Sequence, residues 1–272
     1  MSEKKPFVTV VTICFNAEKS IRQTIESVLN QVYRPIEYIV IDGGSTDMTL
    51  SIIKSYQSKF EAAGIIYRFV SEKDKGIYDA MNKGAGLALG DWVNFMNAGD
   101  YFSSSNVLFD LFDEFYTSEV KVLYGDTIKS YSCGQFLMRV KPLKRLNRRM
   151  IFCHQSVFVC REELQKQPFD LQYPIAADFN FFYNLYKQGV KMQYKPIPVA
   201  CFEAEEGISS RKSLQVKVEY AKIRGVNNTF LWRCWFVQKK IRYYIKKNMQ
   251  ILLPVSFKEQ LRQWNYKRLS NR

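Results

Sequence analysis

A few acids and the single histidine of this sequence have positions that favour chemistry on a charged substrate. Asp100 closes the cluster Asn97-Ala98-Gly99-Asp100, directly after the apolar run Trp92 to Met96. A carboxylate at such a position can hold Mg²⁺ or Mn²⁺, and a divalent cation neutralises a departing diphosphate. The same four residues are also typical of an ordinary turn. The cluster is therefore both a candidate metal site and a candidate turn.

A second acid, Asp42, begins the segment Asp42-Gly43-Gly44-Ser45-Thr46-Asp47 between a predicted strand and a predicted helix. Glycine permits the backbone conformations of a tight turn, and Ser45 or Thr46 can cap the helix. Asp42 would then face a ligand that lies over the edge of the sheet; alternatively, the segment is only a turn. The sequence contains neither the G-x-G-x-x-G dinucleotide fingerprint nor the G-x-x-x-x-G-K-[ST] P-loop.

His154 and Asp178 each have a structural and a chemical interpretation. His154 lies among apolar neighbours and is either a packed core or loop residue or a ligand of a metal or phosphate. Asp178 starts an apolar predicted helix, where the helix dipole stabilises a carboxylate. It could instead act as a general base that takes a proton from a hydroxyl nucleophile.

Predicted strands and helices that alternate along the chain would position these residues. Apolar runs predict strands at Val8–Cys14, Ile36–Ile41, Ile65–Val70 and Asp91–Met96, and apolar residues at helical spacing predict the helices between them. This alternation is typical of βαβ units in a parallel sheet, whose carboxyl edge binds ligands. The later predicted elements are helices over Val107–Phe115 and Ile175–Tyr186, and strands over Val120–Tyr124, Ser156–Val159 and, interrupted by two prolines, Met192–Phe202.

The length of 272 residues and the hydrophobic content of 47% allow one large domain with an appendage. We place the domain at 1–210 and a helical tail at 211–272. The sequence has no run of about eighteen apolar residues and no signal peptide, and its six cysteines are scattered without metal-like spacing. We therefore expect a cytoplasmic protein with reduced, mostly structural thiols.

The net charge of +14 arises wholly in the tail, where sixteen Lys and Arg accompany two acids, Glu219 and Glu259. Residues 229–268 mix Trp, Phe and Leu with these cations, a composition that suits a surface helix on an anionic bilayer at the inner face of the plasma membrane. The alternative is a helical pair whose aromatic side chains pack on the main domain. A nucleic-acid-binding protein is a weaker alternative, because the tail contains no recognised module for it.

Together, these segments resemble the inverting family 2 glycosyltransferases with a GT-A fold, especially the bacterial members that build surface polysaccharides. The resemblance spans residues 7–210 and rests on the order and spacing of its pieces, which are TVVTICFNAEKSIRQTIESVLNQ, EYIVIDGGSTDMTLSII, SEKDKGIYDAMNKGAGLALGDWVNFMNAGD, LYGD at 123–126, HQSVF at 154–158 and AADFNFF at 176–182. It implies an α/β GT-A domain with a single, mostly parallel sheet flanked by helices, followed by the basic helical tail. It also implies transfer of a sugar from a nucleoside diphosphate sugar to a hydroxyl of a saccharide or lipid-linked acceptor, with inversion.

The resemblance implies a role for each matching residue. The implied donor-binding residues are Thr12, Phe15, Asn16, Asp42, Glu72, Asp74, Lys75, Gly76, Asp79, Asn82, Lys83, Asn97 and Ala98. The first three would line the nucleotide pocket, Asp42 would bond the base or ribose, and the loop 72–76 would close over the base. Asp79, Asn82 and Lys83 would face the ribose, phosphates or sugar. Asn97 to Asp100 stands where the family has its metal-binding DxD motif, and Asp178 stands at the place of the catalytic base.

Two departures from the family pattern affect these expectations. The DxD position reads Asn-Ala-Gly-Asp, so Asp100 is its only acid. We expect a divalent cation, Mg²⁺ or Mn²⁺, with either a weaker dependence or with His154 and the diphosphate completing its coordination. Glu205-Glu206-Gly207-Ile208-Ser209 replaces a glycine pair that often precedes a serine in the family. A catalytically inactive, glycosyltransferase-like binding module is therefore an alternative function.

Overall fold

The N-terminal half of the molecule consists of parallel strands that alternate with helices. The structure is a computed structural model that describes residues 5–112, 119–131, 134–203 and 213–252. Its first elements are, in chain order, β1 (Val8–Cys14), α1 (Ile21–Leu29), β2 (Ile36–Asp42), α2 (Thr49–Lys54), α3 (Gln57–Ala62), β3 (Ile66–Ser71), α4 (Ile77–Leu87) and β4 (Trp92–Phe95). Every residue of β1 and β2 is buried, because helices cover both faces of the sheet. The predicted alternation is confirmed.

One predicted helix is divided in two. The apolar spacing from Ile52 to Phe60 predicts a single helix, whereas α2 ends at Lys54 and α3 begins at Gln57. Between them, the hydroxyl of Ser55 donates a hydrogen bond of 2.7 Å to the carbonyl of Ile52. A serine that bonds to a carbonyl of the preceding turn competes with the helical hydrogen bonds, which accounts for the break.

The second half of the chain continues the sheet and adds the C-terminal helices. Its elements are β5 (Tyr101–Phe102), α5 (Val107–Phe112), β6 (Val120–Tyr131), β7 (Gly134–Met138), β8 (Val157–Cys160), α6 (Arg161–Lys166), α7 (Ala177–Lys187), β9 (Lys191–Glu203), α8 (Ser213–Ile223) and α9 (Phe230–Leu252). A 3₁₀ turn, His154–Ser156, immediately precedes β8. The prediction of a helix over Val107–Phe115 is confirmed as far as Phe112, since residues 113–118 lie outside the described ranges.

The strands form one sheet, nine-stranded over the described residues, in the order β3-β2-β1-β4-β8-β6-β9-β5, with β7 paired to β6. The strands β1 to β4 pair in parallel, as do β6 and β9, whereas β5, β7 and β8 pair antiparallel with their neighbours. Contrary to the predicted interruption, β9 passes through Pro196 and Pro198 as one strand. Its register against β6 shifts on either side of Asp126, which lies opposite Pro198, because proline has no N–H to contribute to the sheet.

Helices pack on both faces of this sheet. One hydrophobic core contains Ile25 of α1 and Phe60 of α3, and the other contains Met81 of α4 and Phe179 of α7. The axis of α4 comes close to β1 at Gly84, where an added Cβ would lie 2.3 Å from Cγ1 of Val11. Because β1, β2 and β4 are parallel neighbours, the loops that follow them meet at one edge of the sheet.

The two C-terminal helices differ in how they are packed. The ring of Tyr220 in α8 stacks on Phe179 of α7 with centroids 4.1 Å apart, and Ala221 is buried. The helix α9, in contrast, exposes large apolar side chains such as Phe230 and Ile241. The boundary predicted near 210 and the loop 205–209 fall outside the described residues. In the described part of the chain, no helix combines the length and apolar character needed to cross a bilayer.

Candidate active site

The turn after β2 is built around Asp42, whose side chain is fully buried. Its Oδ2 accepts hydrogen bonds from the backbone N–H of Ser45, at 3.1 Å, and from the hydroxyl of Ser71, at 2.6 Å. The hydroxyl of Ser45 also donates to Oδ1. The carboxylate therefore holds the ends of β2 and β3 together. The side chain of Asp42 has no exposed surface in the structure, and its contact with the base or ribose stays a prediction.

Thr12, at the end of β1, likewise has no exposed surface. Its hydroxyl accepts a hydrogen bond of 2.9 Å from the phenol of Tyr38, itself fully buried. Buried threonines on a central strand satisfy their hydroxyl inside the protein, as here. Thr12 therefore packs in the core, and its place in the nucleotide pocket stays a prediction.

Phe15 and Asn16, which follow β1, lie at the surface of the same sheet edge. The Phe15 side chain is 62% exposed, and a Cβ at Gly43 would lie 3.5 Å from its ring and 2.5 Å from Oδ2 of Asp74. Asn16 adopts a left-handed backbone conformation (φ 48°), and its Oδ1 accepts a hydrogen bond of 2.9 Å from the N–H of Thr46. The edge thus presents an exposed ring beside a glycine and a carboxylate.

The loop 72–76 is fastened to the start of α4. Oδ1 of Asp74 accepts a hydrogen bond of 2.8 Å from the N–H of Gly76, and Oδ2 of Asp79 accepts one of 2.9 Å from the N–H of Lys75. Gly76 has a φ of 118°, which favours glycine at this N-cap position. The predicted loop residues therefore lie together at the N-terminus of α4, where the helix dipole favours anions.

Lys83 forms ion pairs with two acids of this group. Its Nζ lies 2.8 Å from Oε1 of Glu72 and 3.6 Å from Oδ2 of Asp79. The hydrogen bond to Glu72 is the main cause that raises the pKa of Lys83, so the amine is protonated at neutral pH. Two carboxylates therefore pair with one ammonium group. A phosphate could replace one of these carboxylates as a partner of Lys83.

Asn82 forms its hydrogen bonds with the backbone of Phe169, whereas the predicted partner is the donor. Its Nδ2 donates to the carbonyl of Phe169 at 2.9 Å, and its Oδ1 accepts from the N–H of Phe169 at 2.8 Å. This pair of bonds anchors the segment that leads to α7 on the side of α4. A contact between Asn82 and the donor stays a prediction.

The cluster after β4 is held by neighbouring side chains. Oδ2 of Asp100, which is buried, accepts a hydrogen bond of 2.7 Å from Nε2 of Gln155, also buried. Thr24 accepts from the N–H of Gly99 at 2.9 Å and donates to the carbonyl of Asp100 at 2.7 Å. Gly99 has a φ of 99°, a conformation that glycine adopts without strain. The N–H of Ala98 donates a hydrogen bond of 3.1 Å to the carbonyl of Ile13, and its side chain packs against a hydrophobic core.

His154 lies between this cluster and Asp178. Its Nε2 is 3.1 Å from Nδ2 of Asn97, and its Nδ1 is 3.8 Å from Oδ2 of Asp178. If the amide of Asn97 donates, Nε2 accepts and the proton resides on Nδ1, facing the carboxylate. The structure therefore brings together Asn97, His154 and Asp178, three residues that are far apart in the sequence.

Asp178 is oriented from two sides at the first turn of α7. Its Oδ1 accepts hydrogen bonds from the hydroxyl of Tyr78, at 3.0 Å, and from the N–H of Phe179, at 2.7 Å. Burial, and next the charge of Asp178, raise the pKa of Tyr78 well above its usual value. Tyr78 therefore stays protonated and acts as a donor. The side chain of Asp178 itself is 17% exposed.

The oxygen atoms of the cluster fit a divalent cation in part. Oδ1 of Asn97 is buried without a hydrogen-bond partner in the described structure, and amide and carboxylate oxygens suit Mg²⁺ or Mn²⁺. Among the described residues, however, no three His, Cys, Asp or Glu side chains are grouped as a metal site. The contacts of the His154 ring are with Asn97 and Asp178. A cation here would need further oxygen ligands from water or a diphosphate.

Sequence reasoning does not identify Tyr78 or Gln155, the residues that orient Asp178 and Asp100. Each adjoins a predicted residue, since Tyr78 precedes Asp79 and Gln155 follows His154. Both also lie inside pieces that carry the family resemblance, Tyr78 in SEKDKGIYDAMNKG and Gln155 in HQSVF. Their partners are distant in the chain and become evident only when the loops are assembled.

Known proteins resemble this chain in sequence. A family model described as "Glycosyl transferase family 2" matches residues 9–184. The "PGL/p-HBAD biosynthesis glycosyltransferase" of Mycobacterium bovis is 28% identical over 214 residues, covering 75% of this chain and 80% of the relative. The family model and the mycobacterial relative both match the part of the chain that contains the described site.

Two solved structures are similar in fold. The mannosyltransferase PcManGT of Pyrobaculum calidifontis, solved with GDP-Man and Mn²⁺, has a TM-score of 0.65 at 18% identity, covering 81% of this chain and 64% of that chain. Residues 1–349 of S. aureus TarS, solved with UDP-GlcNAc, have a TM-score of 0.60 at 17% identity, covering 81% of this chain and 66% of that one. This chain thus spans less than two thirds of either protein, and the likeness concerns the fold, which is the predicted GT-A fold. With its family model matched over most of the described domain, the chain belongs to glycosyl transferase family 2.

Proposed function

We propose that the protein transfers a sugar from a nucleoside diphosphate sugar to a hydroxyl of a saccharide acceptor, with inversion, in the synthesis of a cell-surface polysaccharide. The observation that carries this proposal is the position of Asp178. Its carboxylate is oriented by Tyr78 and lies one histidine away from the cluster 97–100. The proposed base and the candidate diphosphate site therefore lie on opposite sides of His154.

The donor would bind along the carboxyl edge of β1 and β2. The exposed ring of Phe15 offers a stacking surface for a nucleobase. The ion group of Glu72, Asp79 and Lys83 offers a cation for the phosphates. A nucleoside diphosphate sugar is the class that the two similar structures contain, as GDP-Man and UDP-GlcNAc.

Asp178 would act as the general base. Its carboxylate accepts the proton of the acceptor hydroxyl while that oxygen attacks the anomeric carbon of the donor sugar. A new C–O bond forms as the bond from the anomeric carbon to the diphosphate breaks, and the diphosphate leaves with the electron pair. Attack from the face opposite the diphosphate inverts the configuration.

A divalent cation, Mg²⁺ or Mn²⁺, would be held by Asp100 and the amide oxygen of Asn97. When bound, it supplies positive charge for the departing diphosphate. Gln155 would keep Asp100 oriented through the hydrogen bond to its Oδ2. His154 would hold Asn97 and Asp178 at a fixed separation.

The acceptor would be lipid-linked, and α9 would keep the enzyme at the membrane that carries it. Exposed apolar side chains lie seven, eleven and fourteen residues after Phe230, at Val237, Ile241 and Tyr244, and so share one side of the helix. The sequence of α9 contains several Lys and Arg and no Asp or Glu. An apolar side bordered by cations complements an anionic bilayer. A second copy of the same helix would instead bring cations together.

Donor binding and transfer test the proposal separately. A panel of UDP-, GDP- and dTDP-sugars is screened by thermal shift, and transfer is then measured with the stabilising donor. We expect Asp178→Asn to bind the donor normally and to lose transfer by about a hundredfold to ten-thousandfold. The exposed Asp110→Asn is the control. Near-native transfer by Asp178→Asn contradicts the base assignment, and donor binding without transfer by the wild type favours an inactive binding module.

A further inference from the structure

The start of α7 lacks a local cap. The N-cap residue, Ala176, has a side chain that cannot accept a hydrogen bond, and the first N–H groups of any helix have no partner within the helix. The N–H of Phe179 bonds to Oδ1 of Asp178, whereas the N–H groups just before α7 find their acceptor in a distant element. Oε2 of Glu219 accepts hydrogen bonds from the N–H groups of Ile175, at 3.1 Å, and Ala176, at 2.9 Å. Glu219 is only 5% exposed.

Glu219 belongs to α8, the helix that the sequence assigns to the basic tail. Tyr220, its neighbour, stacks on Phe179, and Ala221 is buried. The region 211–272 contains only two acids, Glu219 and Glu259. A buried carboxylate from an otherwise cationic region thus contacts the segment that leads into Asp178.

The same segment is held by Tyr78. The Tyr78 hydroxyl has one proton, which is shared between two acceptors, the carbonyl of Ile175 at 2.9 Å and Oδ1 of Asp178 at 3.0 Å. Glu219 fixes the N–H side of this short segment, and Tyr78 fixes its carbonyl side. The backbone three residues before Asp178 is therefore clamped between α4 and α8.

We propose that Glu219 is a positioning residue for Asp178, so that the first tail helix completes the active site. This inference rests on the proposed function, because it takes Asp178 as the base. Glu219 is too deeply buried behind the backbone to meet a substrate itself, and acts by holding the start of α7. A small displacement of a reacting group lowers turnover without weakening the binding of a donor held elsewhere.

The test uses the full chain with Glu219→Ala and Glu219→Gln. We expect Glu219→Ala to lower kcat by about tenfold to a hundredfold, with the donor KM changed by less than about twofold. Glu219→Gln should restore most of kcat, because its amide oxygen can accept from the same two N–H groups. Amide hydrogen exchange at Ile175 and Ala176 should quicken in Glu219→Ala alone. Gln215→Ala, an exposed change in the same helix, is the control.

Three results would overturn the inference: unchanged kcat in Glu219→Ala, equal losses in the Ala and Gln variants, or a parallel loss of kcat and donor affinity. If Glu219→Ala does not fold, Glu219→Asp, whose shorter side chain cannot reach both N–H groups, replaces it. Failure of the proposed function is recognised separately, by normal transfer in Asp178→Asn. Hydrogen exchange measures the Glu219 contact independently of enzyme activity. It therefore distinguishes a failure of this inference from a failure of the proposed function.

Discussion

The hydroxyl of Tyr78 donates a hydrogen bond of 3.0 Å to Oδ1 of Asp178, joining two helices whose sequences are a hundred residues apart. Tyr78 lies in the first turn of α4, whose N-terminal loop contains the predicted donor-binding residues. Asp178 lies in the first turn of α7. This one bond thus connects the proposed donor side of the site to the proposed base.

Removing the Tyr78 hydroxyl should weaken both stability and turnover. Tyr78→Phe leaves the buried carbonyl of Ile175 without this donor, which costs about 1–3 kcal/mol of unfolding free energy. Release of Asp178 should lower kcat by about tenfold. Urea denaturation and steady-state kinetics measure the two effects. Tyr56→Phe, which removes a hydroxyl bonded to Glu26 away from the site, is the control. An unchanged kcat would show that the bond to Asp178 has no part in turnover.

The pKa of Tyr78 predicts how this support depends on pH. Burial raises the pKa above that of a tyrosine in the unfolded chain, so folding favours the protonated hydroxyl. The stability that Tyr78 contributes is therefore complete at neutral pH and is lost only as the pH rises through the raised pKa. We expect the difference in unfolding free energy between wild type and Tyr78→Phe to be constant from about pH 6 to 9. A difference that changes within that range would contradict the assignment of Tyr78 as a protonated donor.

Cation dependence should respond to Gln155 as well as to Asp100. After treatment with EDTA, we expect transfer to disappear and to return with Mn²⁺. Gln155→Ala removes the bond that orients Asp100 and should raise the half-saturating Mn²⁺ concentration by about tenfold. Asp100→Asn should raise it further. Transfer that persists unchanged in EDTA would contradict the cation proposal and leave the fold and family unaffected.

Phe15 should contribute to the binding of the nucleotide. Its ring is exposed at the carboxyl end of β1, so truncation costs the fold little and removes a stacking surface. We expect Phe15→Ala to raise the donor KM by about tenfold, the effect of losing one stacked base, with kcat nearly unchanged. Phe109→Ala, which removes an exposed ring from α5, should leave both constants unchanged. An unaltered donor KM in Phe15→Ala would place the base elsewhere.

The apolar side of α9 should bind anionic vesicles. The double variant Val237→Ser, Ile241→Ser removes two exposed apolar side chains and should weaken co-sedimentation with phosphatidylglycerol vesicles by about tenfold or more. Wild-type binding should fall with added salt and be weak on phosphatidylcholine. Gln238→Ser is the control within the same helix. Equal vesicle binding by the variant, or a dimer in light scattering that the variant dissociates, would contradict the membrane role.

Gly84 offers a direct test of the packing of α4 on β1. A Cβ there would lie 2.3 Å from Val11, so Gly84→Ala should destabilise the protein by about 1–3 kcal/mol. Gly86 lies in the same helix with no atom within 4 Å of an added Cβ. Gly86→Ala should therefore leave stability unchanged or raise it by about 0.5–1 kcal/mol. Equal effects of the two variants in urea denaturation would contradict this packing.

The sequence predicts the N-terminal architecture well because each element there has its own local signal. The buried strands β1 and β2 are continuous apolar runs, and α4 has apolar residues at helical spacing. The break between α2 and α3 was harder to predict from the sequence, because it depends on one serine hydroxyl and not on apolar spacing. The antiparallel course of β8 has no local signal either, since strand direction is a property of the assembled sheet.

The candidate site shows the same division. The spacing of motifs in the sequence determines the family, the chemical classes of the side chains and the neighbourhoods of Asp100 and Asp178. Exposure and partners were decided only by tertiary structure, which buries Thr12 and Asp42. The reason is physical: a motif specifies which residue stands at a strand end, whereas contacts such as those of Tyr78 and Glu219 form only when distant segments pack together.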